Sequence, residues 1–125
     1  MRLTKYGYLS DIPCVLTPGS CRYKRSSKSF LFTLYNIHGY RPQKLQLRSS
    51  SKYQYAIYTC SSQGPTFGDG NDLYIRNNAN TNTGSYTKSG YSYQAHHGCS
   101  GSCSVLAGTH RSWKVSDIEV FYMSS

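Results

Sequence analysis

Residues 30–48, FLFTLYNIHGYRPQKLQLR, hold two stretches of period-two patterning with a turn between them. In FLFTLY, Phe30, Phe32 and Leu34 fall on one face and Leu31, Thr33 and Tyr35 on the other, which predicts a central strand covered on both sides. In KLQLR, Leu45 and Leu47 turn inward while Lys44, Gln46 and Arg48 face water, so the second strand has one wet, basic face. Gly39 and Pro42 punctuate the turn between them. Order is expected to begin at Ser29.

Working outward, YAIYTC (55–60), DLYI (72–75), YSY (91–93), SVLAG (104–108) and DIEVFY (117–122) read as further strands. SSSKYQ forms a polar turn, and the tract RNNANTNTGSYTKSG is expected to be an ordered loop in which Asn accepts left-handed backbone. The opening, through DIPCVLTPGSCRYKRSSK, is expected to be loop-like because Pro13, Pro18 and Gly19 interrupt any regular element. No segment sustains helical periodicity, so the chain is mainly β, and the uneven loop lengths favour a sandwich over a barrel. A length of 125 residues suits one domain with one core.

Thirteen tyrosines replace much of the usual aliphatic bulk, and mean hydropathy is −0.56, which fits twisted sheets with wet loops. Charge is lopsided: residues 1–52 carry ten lysines and arginines against Asp11 alone, whereas residues 53–125 carry four charges of each sign. The densest cluster, CRYKRSSK (21–28), interleaves Arg22, Lys24, Arg25 and Lys28 with Tyr23. No nucleic-acid-binding motif accompanies it, so it reads as a solvated basic rim. No apolar run approaches the roughly 18 residues of a membrane span. MRLTKYGYLS has no apolar stretch after its basic residues, so no signal peptide is visible. Five cysteines (Cys14, Cys21, Cys60, Cys99, Cys103) leave at least one outside any intrachain pair and keep cytoplasmic and extracellular locations both open.

The ordered blocks GPTFGDGNDLYIRNNANTNTGSY (64–86), GYSY (90–93), LAG (106–108) and VSDIEVFY (115–122) together resemble the TLDc family. The resemblance extends back through SSKSFLFTLYNIHGYRPQKLQL and AIYTCSS and so covers Cys21 to Tyr122. It implies a two-sheet antiparallel β-sandwich. GYLSDIPC (7–14) is similar to the tail of an early family block, which implies a domain lacking its opening strands and helical segments. Residues 1–20 are then a poorly matched loop-like segment, and residues 21–125 the C-terminal part of the domain. The resemblance implies a non-catalytic protein-interaction module, linked to oxidative-stress resistance or to regulation of the vacuolar proton-pumping ATPase, whose subunits are the implied partners. The alternative is a secreted, disulfide-bearing ligand-binding or adhesive module.

Gly64, Pro65, Thr66, Phe67, Gly68, Gly70 and Asp72 form the family-motif loop and are expected to act structurally or in interaction. Its glycines lack the Lys of a P-loop, and its Asp and Asn oxygens lack the closing Glu of an EF-hand, so neither phosphate nor Ca²⁺ is assigned. His96, His97, Cys99 and Cys103 offer zinc-type donors, but adjacent histidines diverge in extended backbone, and a local Cys99–Cys103 disulfide, or two unrelated loop cysteines, fits CSGSC better. Asp117 and Glu119 lie about 6.6 Å apart along one strand face, and Asp117, Glu119 and Phe121 belong to the terminal-strand motif. Alternating acids alone assign no reaction, and neither Cys60 nor any Ser sits beside a sequence-local base, so no catalytic residue, metal or cofactor is expected.

Overall fold

A computed structural model describes residues 21–35, 38–99, 105–107 and 112–115, with the backbone alone at 5–9. Strands follow in chain order as β1 (Lys5–Leu9), β2 (Arg22–Lys24), β3 (Phe30–Tyr35), β4 (Gln43–Gln46), β5 (Ile57–Thr59), β6 (Thr66–Phe67), β7 (Leu73–Tyr74), β8 (Ser85–Thr87) and β9 (Ser112–Trp113). FLFTLY is the central strand expected, in a three-stranded antiparallel sheet of order β1-β3-β4. Its Leu31 faces Leu45 across the β3–β4 pair, and both are fully buried. Burying one such side chain contributes roughly 1.5–3 kcal/mol. The alternation in KLQLR holds, with Leu45 and Leu47 buried and Lys44, Gln46 and Arg48 exposed.

Coverage of β3 on both sides fails at its end, where Leu34 is 48% and Tyr35 61% exposed. The register explains it: β4 pairs only as far as Thr33↔Gln43, so the last two residues run past their neighbour. Regular structure also begins well before Ser29. KYGYL forms β1 and pairs with β3, and RYK forms β2 at the edge of the second sheet. Neither could be read as a strand from burial patterning, since Gly7 interrupts the first and the second is solvated by Arg22 and Lys24.

The second sheet has six strands in the order β2-β5-β6-β7-β8-β9, antiparallel throughout. The chain leaves it after β2 to build the β3–β4 hairpin, returns through a 3₁₀ helix at Ser50–Tyr55, and then runs on as a meander from β5. A Cys21–Cys60 disulfide closes the end of the β2–β5 pair beside Arg22↔Thr59. Inward residues of both sheets join one core: Leu31, Leu45 and Leu47 from the first, Ile57, Phe67 and Leu73 from the second, with Tyr93, Leu106 and Val115 completing it. The mainly β, sandwich-like architecture is therefore the one expected from the sequence.

SVLAG is not a strand: Val105–Ala107 form a short 3₁₀ helix, with Val105 and Leu106 both buried. Neighbouring residues can share the core in a helical turn, whereas a strand would send them to opposite faces. The Asn-rich tract is ordered, and Asn78 takes a left-handed φ of 56°, but the tract also contains β8. The DIEVFY segment, including Asp117, Glu119 and Phe121, lies outside the described residues, as does Cys103.

Candidate functional site

The motif loop connects β6 to β7 and is organised around one carboxylate. Asp72 is fully buried and accepts hydrogen bonds from four backbone N–H groups of the facing segment: Gly90 at 3.1 Å, Tyr91 at 3.0 Å, Ser92 at 2.9 Å and Tyr93 at 3.1 Å. Burial pushes the Asp72 pKa above the usual carboxylate range, and the four N–H bonds oppose that rise. Its own carbonyl accepts the Thr87 hydroxyl at 2.7 Å, so the residue ties β7 to β8 and to the 90–93 segment at once. The motif glycines allow this closeness. Gly68 has φ +83°, and a Cβ there would overlap the Asp72 carboxylate; at Gly64 it would overlap the Ile75 carbonyl. Buried Phe67 caps the core end of the loop, and Tyr93, also buried, donates its hydroxyl to the Ala56 carbonyl at 2.8 Å. Burial, and then the Asp72 charge, push the Tyr93 pKa far up, so that hydroxyl stays a donor.

Outside this framework lies a face of tyrosines around one ion pair. Lys52, on the 3₁₀ helix, reaches Asp69 at 3.3 Å, and Asp69 also accepts the Ser92 hydroxyl. The Lys52 ammonium sits 4.5 Å from the centroid of the Tyr91 ring and 5.8 Å from that of Tyr55. Tyr23 packs edge-on against Tyr55 at 5.2 Å and tilts against Tyr58 at 4.9 Å. Tyr91 is 51% exposed and Tyr23 38%. Burial, followed by the Asp69 charge, raises the Tyr23 pKa, which keeps that hydroxyl neutral.

The family model for the TLDc domain matches residues 5–124. The chain belongs to the TLDc domain family. No curated protein and no solved structure matches it. The match begins within β1, so the segment taken from the sequence as poorly matched and loop-like includes a family-matched strand.

In this TLDc domain Gly64, Pro65, Thr66, Phe67, Gly68, Gly70 and Asp72 lie in and beside the turn that joins β6 to β7. Lys52, Tyr23, Tyr55, Tyr58 and Tyr91 were not singled out as a site; the available signal was the alternation of cations and tyrosines in CRYKR and SKYQY. Near the zinc-type residues, His96 is buried between other rings: His38 stacks on Tyr40, Tyr40 on His96, and His96 on His97. Both His96 ring nitrogens are engaged by backbone, Nε2–H donating to the Arg41 carbonyl at 3.1 Å and Nδ1 accepting the Gly98 N–H at 3.0 Å. Cys99 is disulfide-bonded. Among the described residues no group of three or more His, Cys, Asp or Glu could hold a metal ion, and no helix is long and apolar enough to cross a membrane.

That histidine gives a pH prediction. Protonating Nδ1 would set a new N–H against the Gly98 N–H, and the His96 pKa is lowered, by burial first and by His97 in addition, against the pull of the Arg41 carbonyl. An unfolded-chain histidine takes up its proton near pH 6.5, the folded one only at lower pH, so this contribution to stability is complete above about pH 6.5 and declines as pH falls below it. Melting temperature should drop between about pH 7.5 and 5, and His96→Gln should show a smaller drop over the same interval. Equal slopes for both proteins would exclude His96 as the cause.

Proposed function

We propose that this TLDc domain is a non-catalytic protein-interaction module that binds its partner through the face formed by Tyr23, Tyr55, Tyr58, Lys52 and Tyr91. The observation that carries this reading is the exposure of Tyr91, on the segment bonded to Asp72, and of Tyr23, on β2 paired with β5. Tyrosine is enriched at protein interfaces, because its ring offers apolar area and its hydroxyl a hydrogen bond at low conformational-entropy cost. The two described carboxylates support a non-catalytic role. Asp72 is enclosed by N–H donors, and Asp69 is paired with Lys52 and Ser92, so neither is placed to exchange a proton with a substrate.

The family context for the partner is resistance to oxidative stress or regulation of the vacuolar proton-pumping ATPase. Co-purification of the tagged protein with pump subunits, beside an intracellular TLDc relative as control, tests it. The Tyr23→Ala, Tyr91→Ala double variant should lose roughly tenfold or more of its partner affinity, as expected for two interface aromatics, while remaining folded at the assay temperature. Undiminished capture by that folded variant would remove the tyrosine face as the binding surface. Absence of pump subunits, where the relative retains them, would remove the pump as partner.

A second reading, a secreted ligand-binding or adhesive module, is favoured by the Cys21–Cys60 disulfide and by the disulfide at Cys99, since such bonds persist in oxidising compartments.

A further inference from the structure

We propose that the groove between Arg48 and Lys88 receives an acidic side chain of the partner protein, so that the bound segment is rich in Asp or Glu; this rests on the interaction-module reading above. The groove has a volume of about 480 Å³, and Arg48, Lys88, Gly90, Tyr91 and Gln94 line it. Tyr91 also belongs to the tyrosine face, so groove and face form one continuous surface.

Charge complementarity identifies the occupant. Residues 21–52 contain eight lysines and arginines and no acid. The two carboxylates among the described residues are both engaged internally, Asp72 by backbone N–H groups and Asp69 by Lys52 and Ser92. Arg48 directs one N–H to the Gly90 carbonyl at 2.8 Å, which fixes the guanidinium against the groove wall and leaves its other donors for a ligand. The Lys88 ammonium has no hydrogen bond or ion pair among the described residues; only its backbone N–H is engaged, by the Asp72 carbonyl at 3.0 Å.

The wall is also rigid toward an incoming anion. The N–H groups of Gly90 and Tyr91 already serve Asp72, so they are not available as an anion nest, and recognition falls to the two cationic side chains. A planar guanidinium held from behind can present paired N–H groups to a carboxylate, and a neighbouring ammonium adds charge without demanding a set direction. One arginine and one lysine in a short groove match one or two carboxylates. A nucleic-acid strand would require cations repeating along a track of phosphates.

The test is fluorescence anisotropy with a labelled peptide of about ten residues alternating Glu and Ala, measured on the whole chain at low salt. Saturable binding is expected. Lys88→Glu should weaken it roughly tenfold or more, the loss expected of a charge-assisted contact, and Arg48→Lys should weaken it despite keeping the charge. Lys28→Glu, which alters net charge equally outside the groove, should change it less than about twofold. Equal losses from Lys88→Glu and Lys28→Glu would overturn the proposal in favour of diffuse attraction. Tighter binding of an oligothymidylate of the same length, lost in Lys88→Glu, would overturn it in favour of nucleic acid. All three variants should keep the wild-type melting temperature, which is checked first. If Lys88→Glu still captures the protein partner at wild-type affinity, the groove assignment fails while the interaction-module reading stands. If the Tyr23→Ala, Tyr91→Ala variant keeps full capture and the peptide still requires Lys88, the tyrosine face fails while the groove stands.

Discussion

Asp72→Ala is expected to unfold the domain or to leave it a small part of its stability. The side chain is the shared acceptor for the N–H groups of Gly90, Tyr91, Ser92 and Tyr93, all on the segment that carries Tyr93 into the core. Each buried donor left without an acceptor costs roughly 1–3 kcal/mol, and a domain of this size has roughly 5–15 kcal/mol in total. Loss of two such bonds without replacement, roughly 2–6 kcal/mol, is a large part of that total, and loss of all four would approach the whole. Water can reach the exposed Tyr91 end of the segment but not the buried Ser92–Tyr93 end, so relaxation recovers only part of the loss. Asp72→Asn is the informative companion. It keeps one acceptor oxygen but turns an NH₂ toward donors, and should fall between wild type and alanine. Urea unfolding of the three proteins decides the matter; an alanine variant within about 1 kcal/mol of wild type would show that the 90–93 segment holds its position without the carboxylate.

This centre explains which parts of the architecture were readable from residues alone. Leu31, Leu45 and Leu47 bury apolar side chains at period two, and their strands were found. Strand β8 buries Ser85 and Thr87 instead, Ser85 accepting the Arg76 N–H at 3.0 Å and Thr87 donating to the Asp72 carbonyl. A core face made of hydroxyls bonded to backbone carries no hydrophobic period, so SYT reads from sequence as part of a loop. Strand β6 is short, and its inward Thr66 donates to the Gly64 carbonyl at 3.0 Å, so it was hidden in the glycine loop for the same reason. The motif glycines were legible as a tight turn, but the clash partners that require them, Ile75 for Gly64 and Asp72 for Gly68, are set by pairing between strands. The tyrosine face is a further case. Tyr23, Lys52, Tyr58 and Tyr91 lie on separate elements and meet only because β2 pairs with β5 and the 90–93 segment closes over Asp72. Position in sequence could not bring them together, and CRYKRSSK alone reads as a solvated basic rim.

Removing the Cys21–Cys60 disulfide is expected to lower stability by about 4 kcal/mol, near the top of the range for one bond, because it closes a long loop. The two cysteines are 39 residues apart, and the chain between them makes the whole β3–β4 hairpin and the 3₁₀ helix before returning to β5. Without the bond, the short strand β2 is held to the sheet by its three residue pairs with β5, by the Thr59 hydroxyl on the Arg22 carbonyl and by Tyr23 against Tyr58. A Cys21→Ser, Cys60→Ala double variant, which leaves the disulfide at Cys99 intact, should therefore melt at lower temperature and lower urea than the native protein. Alanine suits position 60 because Cys60 is buried and serine would bring an added hydroxyl there. The outcome bears on function through Tyr23, which sits on β2 and forms one end of the proposed binding face. If β2 loosens in this variant, partner affinity should fall with it. Loss of stability without loss of binding would place the partner's contacts on Tyr91, Lys52 and the Arg48 groove alone. No loss of either would show that strand pairing suffices, and that the domain works equally well in a reducing compartment.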